Sequence, residues 1–389
     1  MLNKNLRIFA VSTVAALAAL GLGGCGKKEP ASVAVSPAVS ASSASGAEEK
    51  VLNIYHWPDY IARDMVTNFE KETGIKVNYQ TFENNEALHA KLIAGHSGYD
   101  IVVPGAVFAK VQIDGGLLAK LDKSKISRYG NLDPEIMAKL DAIDPGNAYL
   151  IPWAWSFTTV GINKAKVAKA LGGEPLPRNP WDLVFNPAYT AKLKSCGIAY
   201  LDSPTEVIPP AMQYLGKNPY SNDAADHKAA GDMLARVRPD IRLFSSTMVD
   251  DLADGKACVA LGWAGDINIS RARAIENKNG NEIEALLPEA GRLIFFDTLA
   301  LPKDAKHPGN AYAFIDYFLR PEVSASLTNE LGYATANKAS LAAVKPEIAR
   351  DPSVFPNAAD KVKMVSPASF GNEARASMSN VFTSFKKGK

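Results

Sequence analysis

Polarity divides the chain into a leader, a featureless stretch and a long body of alternating elements. Lys4 and Arg7 precede a mostly apolar run over residues 8–22. Residues 26–50 are rich in Ala, Ser, Pro and Val without apolar periodicity. Such a segment cannot bury enough surface to offset its ordering entropy, so it reads as a flexible tether. Regular patterns start near Val51. Residues 51–55 form a short apolar, strand-like run. Ile61, Met65 and Phe69 fall at i, i+4 and i+8, which predicts a helix over 61–73 with Gly74 at its C-cap. Ile75, Val77 and Tyr79 alternate with Lys76, Asn78 and Gln80, a strand pattern running to Phe82. Leu88 and Leu92 share one face of a helix over 86–93, stopped by Gly95, and residues 99–104 read as a buried strand ended by Pro104. This β-α-β-α-β order implies a parallel sheet covered by helices. Farther along, 258–262 and 299–302 read as strands, and 311–319 and 324–331 as helices. No repeat of solenoid period is visible.

The length of 389 residues predicts two domains or one large one. Apolar residues make up 47% and charged residues 22%, an ordinary globular composition. The 43 basic side chains against 41 acidic ones show no basic excess, which argues against a nucleic-acid partner. Five His and three Cys are scattered. His89 and His96 are seven apart, but Gly95 interrupts their helix, so no metal site and no cofactor are expected. G-x-S-x-G, H-E-x-x-H, P-loop and G-x-G-x-x-G motifs are all missing, and no nucleophile stands with a base. Enzymatic activity is therefore not expected.

The leader has a positive start and an apolar run too short for a comfortable membrane span. It ends Leu22-Gly23-Gly24-Cys25, which resembles a bacterial lipobox, a signal cleaved before the cysteine and lipidated on its thiol. The alternative is an ordinary secretory signal that happens to contain a cysteine. Both predict export. The organisation expected is a lipoprotein signal over 1–24, a lipidated Cys25 with its tether over 25–50, and a folded body beyond. Loss of 1–24 takes Lys4 and Arg7 away and leaves basic and acidic side chains level. Cys196 and Cys258 then remain, and an oxidising compartment favours their pairing. A bridge would close a 62-residue loop, worth about 4 kcal/mol on a chain-entropy estimate. The alternative is two separate buried thiols. Two α/β lobes in an exported, tethered protein suggest a solute receptor that closes by hinge motion, an architectural analogy that names no ligand.

Specific residues carry a resemblance. Ile54-Tyr55-His56-Trp57-Pro58-Asp59-Tyr60-Ile61 resembles the opening strand and first turn of bacterial polyamine-binding proteins, which typically read Ile-Tyr-Asn-Trp-Ser/Thr-Asp/Glu-Tyr. The match continues through Phe69-Glu70-Lys71-Glu72-Thr73-Gly74-Ile75-Lys76-Val77, Tyr99-Asp100-Ile101-Val102-Val103-Pro104, Leu121-Asp122-Lys123-Ser124-Lys125 and Lys194-Ser195-Cys196-Gly197. It resumes in Gly262-Trp263-Ala264-Gly265-Asp266, Phe295-Phe296-Asp297 and Tyr333-Ala334-Thr335-Ala336-Asn337-Lys338-Ala339. The segments keep one order across nearly all of 51–389, and Cys196 and Cys258 match cysteines of that family. The resemblance is strongest to the putrescine receptors among them. It implies the α/β two-lobed periplasmic solute-binding fold of type II, each lobe a mixed, mostly parallel sheet flanked by helices, with a hinge between. Lobe 1 would comprise 51–155 and about 280–333; lobe 2 would comprise 156–279 and about 334–389. It further implies capture of a polyamine, most readily putrescine, by a monomer lipid-anchored in the periplasm, and delivery to the permease subunits of an ABC importer.

The matched residues suit such a ligand. A polyamine carries cationic ends on an apolar methylene chain. Its ends need carboxylates, because a buried unpaired ammonium is very costly. Aromatic faces pack the methylenes and attract ammonium, at about 0.5–2 kcal/mol each. Trp57, Tyr60, Trp263, Phe295 and Tyr333 are the candidate walls, and Asp59, Glu206, Asp266 and Asp297 the candidate anions. Plainer alternatives are lobe packing for Trp57 and Tyr60, a strand-end turn with a core Trp for Trp263 and Asp266, an internal strand pair for Phe295 and Asp297, helix-end packing for Tyr333, and a helix-start acid for Glu206. His56, beside the site, is a candidate hydrogen-bonding group, and Ser245 and Ser246 follow Phe244 where the family carries serines near the ligand. An α-amino acid would call for an Arg and ferric iron for clustered oxygen ligands; these motifs hold acids and no base.

Two departures stand out. Pro58 replaces a Ser or Thr and offers neither N–H nor hydroxyl. Val107, in Gly105-Ala106-Val107-Phe108, replaces a hydroxyl that relatives keep near the ligand. The expected consequence is weaker binding, a substituting water, or a shift toward spermidine, cadaverine or agmatine.

Overall fold

The computed structural model describes residues 48–245, 247–289 and 292–388. The signal read over 1–24, the lipidation at Cys25, the tether as far as residue 47 and Ser246 lie outside the described residues. Contacts of the body begin at Glu48, three residues before the expected start. The Glu48 carboxylate accepts hydrogen bonds from the backbone N–H groups of Gly309 and Asn310 at 3.1 and 2.8 Å.

Nine strands can be followed among the described residues: β1 (Val51–His56), β2 (Lys76–Thr81), β3 (Ile101–Val102), β4 (Ile151–Asn163), β5 (Ile198–Leu201), β6 (Ile241–Ser245), β7 (Val259–Trp263), β8 (Ile283–Ala285) and β9 (Ile294–Leu299). The first three form a sheet in the order β2-β1-β3, and both pairings are parallel, as the β-α-β-α-β pattern predicts. The intervening helices are Met65–Thr73 and Asn85–Ile93. The first is shorter than its periodicity suggests, because residues 61–64 are spent on a turn. Gly74 caps it at φ +68°, donating its N–H to the Glu70 carbonyl, a left-handed conformation that glycine adopts without strain. The run over 99–104 contributes only the two residues of β3. The strand expected over 299–302 instead lies earlier, as β9, and Ala300 and Pro302 make only isolated bridges to Val102 and Leu118. Apolar character continues past the strand because residues 299–302 remain in the core.

The second sheet has the order β6-β5-β7-β4-β8. The β5 pairings to β6 and β7 are parallel, and the β4 pairings to β7 and β8 antiparallel. Strand β4 is buried along all thirteen residues and serves both lobes. Its first half pairs with β9 as far as Phe157↔Ile294; from Thr158↔Trp263 onward it pairs with β7. The changeover falls at Phe157 and Thr158. Buried Asp100 locks the first lobe. Its carboxylate accepts from Asn53 N–H at 2.9 Å and from the N–H groups of Lys306 and His307 at 3.0 and 2.8 Å. Every such bond offsets part of the cost of burying the charge.

Cys196 and Cys258 are bonded, and their Cα atoms lie 5.5 Å apart. The bridge joins the chain entering β5 to that entering β7. Replacing both cysteines with Ala is expected to cost about 4 kcal/mol, read as a lower Tm and urea midpoint; an unchanged midpoint would show that the bridge constrains nothing.

Candidate functional site

The site is built where strands end and helices begin. The turn after β1 carries Trp57, Pro58, Asp59 and Tyr60. Strand β9 exposes Phe295 and Asp297 at alternate positions while Phe296 points into the core. Strand β7 ends at Trp263, and Asp266 sits in the first turn of the helix Ala264–Glu276. Glu206 sits in the first turn of the helix Pro204–Tyr214. Tyr333 follows Gly332, which ends the helix Pro321–Leu331 at φ +68°. Segments from both sheets therefore bring these side chains together.

The aromatic residues make a continuous wall. Trp263 and Phe295 have ring centroids 6.0 Å apart, Phe295 and Tyr333 6.4 Å, and Tyr333 and Tyr60 4.9 Å. Trp57 packs edge-on against Phe82 at 4.5 Å. The acids hang on this wall by donors. Trp263 Nε1 donates to Glu206 Oε2 at 3.0 Å, and the Tyr333 hydroxyl donates to Asp266 Oδ1. Thr158 Oγ1, at the strand changeover, lies 3.5 Å from the same Glu206 oxygen.

Glu206, Asp266 and Asp297 each keep some accessible surface yet are ringed by protein, as residues lining a narrow cleft are. Burial pushes Glu206 up to about 7, against the lowering effect of its bonds to Trp263 and Thr158. Burial likewise raises Asp266 to about 6, opposed by the Tyr333 hydrogen bond. Asp297 is raised to about 7, first by burial and further by the charges of Glu206 and Asp266. Among the described residues none of the three carboxyls forms an ion pair with Lys, Arg or His. Nor are three or more His, Cys, Asp or Glu side chains gathered closely enough to hold one metal ion among those residues.

Eight of the nine sequence candidates meet here. Asp59 does not join the other acids: it is exposed, at φ +51°. Ser245 is occupied elsewhere, donating to Asp251 and accepting from Thr247 N–H at 3.0 Å. Val107 is half-buried in the first turn of the helix Ala106–Asp114. Sequence reasoning passed over Thr158, and also Tyr220, whose hydroxyl is raised by burial and then by the Glu206 charge. Ser156 and Thr158 are polar at alternate positions of β4 and so share one face of the strand. Gly265 lies beside Asp266 in the first turn of the helix Ala264–Glu276. A Cβ there would come within 2.3 Å of the Tyr333 ring. Gly265→Ala is expected to push Tyr333 off Asp266, at a cost of about 1–3 kcal/mol. A lowered Tm together with weakened ligand binding checks this; full binding would show that Tyr333 is free to move.

Residues 64–356 match the family of bacterial extracellular solute-binding proteins. The chain is similar to the putrescine-binding periplasmic protein PotF of Escherichia coli (strain K12), with 46% identity over 320 residues, 82% of this chain and 86% of that one. It is also similar to the putrescine-binding periplasmic protein SpuD of Pseudomonas aeruginosa (strain UCBPP-PA14), with 41% identity over 350 residues, 90% of this chain and 95% of that one. Among solved structures, the spermidine/putrescine ABC transporter substrate-binding protein PotD of Streptococcus pneumoniae superposes with a TM-score of 0.73 at 27% identity. That superposition covers 87% of this chain and 99% of PotD.

Proposed function

The chain belongs to the bacterial extracellular solute-binding protein family, and from that premise we propose that it is a polyamine receptor of an ABC importer, with putrescine as its ligand. One observation carries the choice of ligand: three carboxyls without basic partners among the described residues, two of them hydrogen-bonded to the aromatic wall. A diammonium chain supplies what that cleft lacks. Its ends neutralise the acids, and its methylenes lie on Trp263, Phe295, Tyr333 and Tyr60. Ligand touching residues from both sheets stabilises closure in proportion to its preference for the closed state. The lobes on this reading are 51–155 with about 280–333, and 156–279 with about 334–389; the β4 changeover supports a hinge between them. The receptor works in the periplasm, held to a membrane through lipid on Cys25, and returns the amine unaltered to the permease.

Calorimetric titration of the purified protein with putrescine, cadaverine, spermidine, spermine and agmatine tests the reading. Putrescine is expected to bind tightest. Preference for another amine would assign a specificity shift to Pro58 and Val107. Neither heat nor thermal shift with any of the five would sink the polyamine assignment.

A further inference from the structure

His56 ends β1 and is 1% exposed. Its ring is stacked near Tyr79 at 5.6 Å and meets Trp153 edge-on at 4.9 Å and Tyr60 at 6.0 Å. Nδ1 accepts the backbone N–H of Trp57 at 2.8 Å. That bond needs a lone pair on Nδ1 and so assigns the ring proton to Nε2. Burial depresses the imidazole pKa to about 3, which keeps the lone pair available across the physiological range. The carbonyl of the same residue is held from the other side: the Tyr79 hydroxyl donates to Trp57 O at 3.2 Å.

The turn needs such a clamp. Pro58 has no N–H with which to close it. Asp59 sits at φ +51°, a conformation disfavoured for a non-glycine residue. Yet this turn sets both Trp57 against Phe82 and Tyr60 against Tyr333. Resting on the polyamine reading, we propose that His56 is a positioning residue: with Tyr79 it clamps the Trp57 peptide and preorganises the Trp57–Tyr60 turn for the cation. An Asn at this place, as in the resembling proteins, can present Oδ1 where His56 presents Nδ1. The side chain thus acts through the turn and does not touch ligand.

The test compares His56→Leu, His56→Asn and Tyr79→Phe. Loss of one clamp bond is expected to weaken putrescine binding about tenfold in His56→Leu and in Tyr79→Phe. The Tm should be kept, and His56→Asn should restore affinity to near the parent value. Amide exchange at Trp57 supplies a readout that needs no ligand: it should be protected in the parent and in His56→Asn, and about tenfold faster in His56→Leu. Parent-like putrescine affinity in His56→Leu, or equal Trp57 exchange in all variants, would overturn the positioning role. A parent protein that binds no polyamine but protects the Trp57 amide through His56 would refute the ligand reading and leave the clamp standing. A fall in Tm matching the fall in affinity in both His56→Leu and His56→Asn would reduce His56 to core packing.

Discussion

Asp297→Asn is expected to weaken putrescine binding on the order of 100-fold while leaving the protein folded. Removing one partner of a desolvated charge pair costs about 2–5 kcal/mol, much of it from stranding the other charge. Asp297 is the carboxyl that feels the charges of both Glu206 and Asp266. The empty protein should not suffer, because an uncompensated acid disappears and repulsion with its neighbours goes with it. Titration calorimetry and a melting curve of the ligand-free variant separate the two effects. Asp266→Asn should behave alike, with the added loss of a charged acceptor for the Tyr333 hydroxyl. Parent-like affinity in both variants would remove these acids from the site.

The second expectation is that affinity falls on the order of 100-fold between pH 8 and pH 5. In the empty cleft Glu206 and Asp297 titrate near 7 and Asp266 near 6. An ammonium favours the ionised carboxyl, so binding drives protons off. Each proton that must leave costs up to tenfold per pH unit below its pKa. The sign for folding is opposite. Acids raised in the folded state above their unfolded values near 4 lose their stabilising contribution as pH climbs toward 7, because the unfolded chain gives up protons more readily. The ligand-free Tm should therefore decline from pH 5 to pH 8, as far as these groups govern it, while the ligand-induced rise in Tm grows. Calorimetry in buffers of different ionisation heat would count the released protons. Constant affinity from pH 5 to 8 with no proton release would show that the cleft acids are ionised before the ligand arrives.

Much of this protein is legible one segment at a time. Period-2 and period-3.6 patterns are local, so β1, β2, the helices between them and the C-cap at Gly74 follow from neighbouring residues. Phe295 and Asp297 show their common face by alternation alone. The family and the kind of ligand are legible too, because resembling motifs name residue types whose chemistry is fixed wherever they stand. Position in the fold is a different matter. Nothing local says that the thirteen buried residues of β4 divide their pairing between β9 on one half and β7 and β8 on the other, since burial looks the same along the whole strand. Nothing local separates Asp59, turned outward at a positive φ, from the three acids that face the cleft. The Trp263–Glu206 and Tyr333–Asp266 pairs join residues 57 and 67 positions apart in sequence, and Asp297 feels Glu206 from a segment still farther away. Side-chain type is written in the chain, but desolvation and charge coupling depend on which distant segments close around it, and only the tertiary structure decides that.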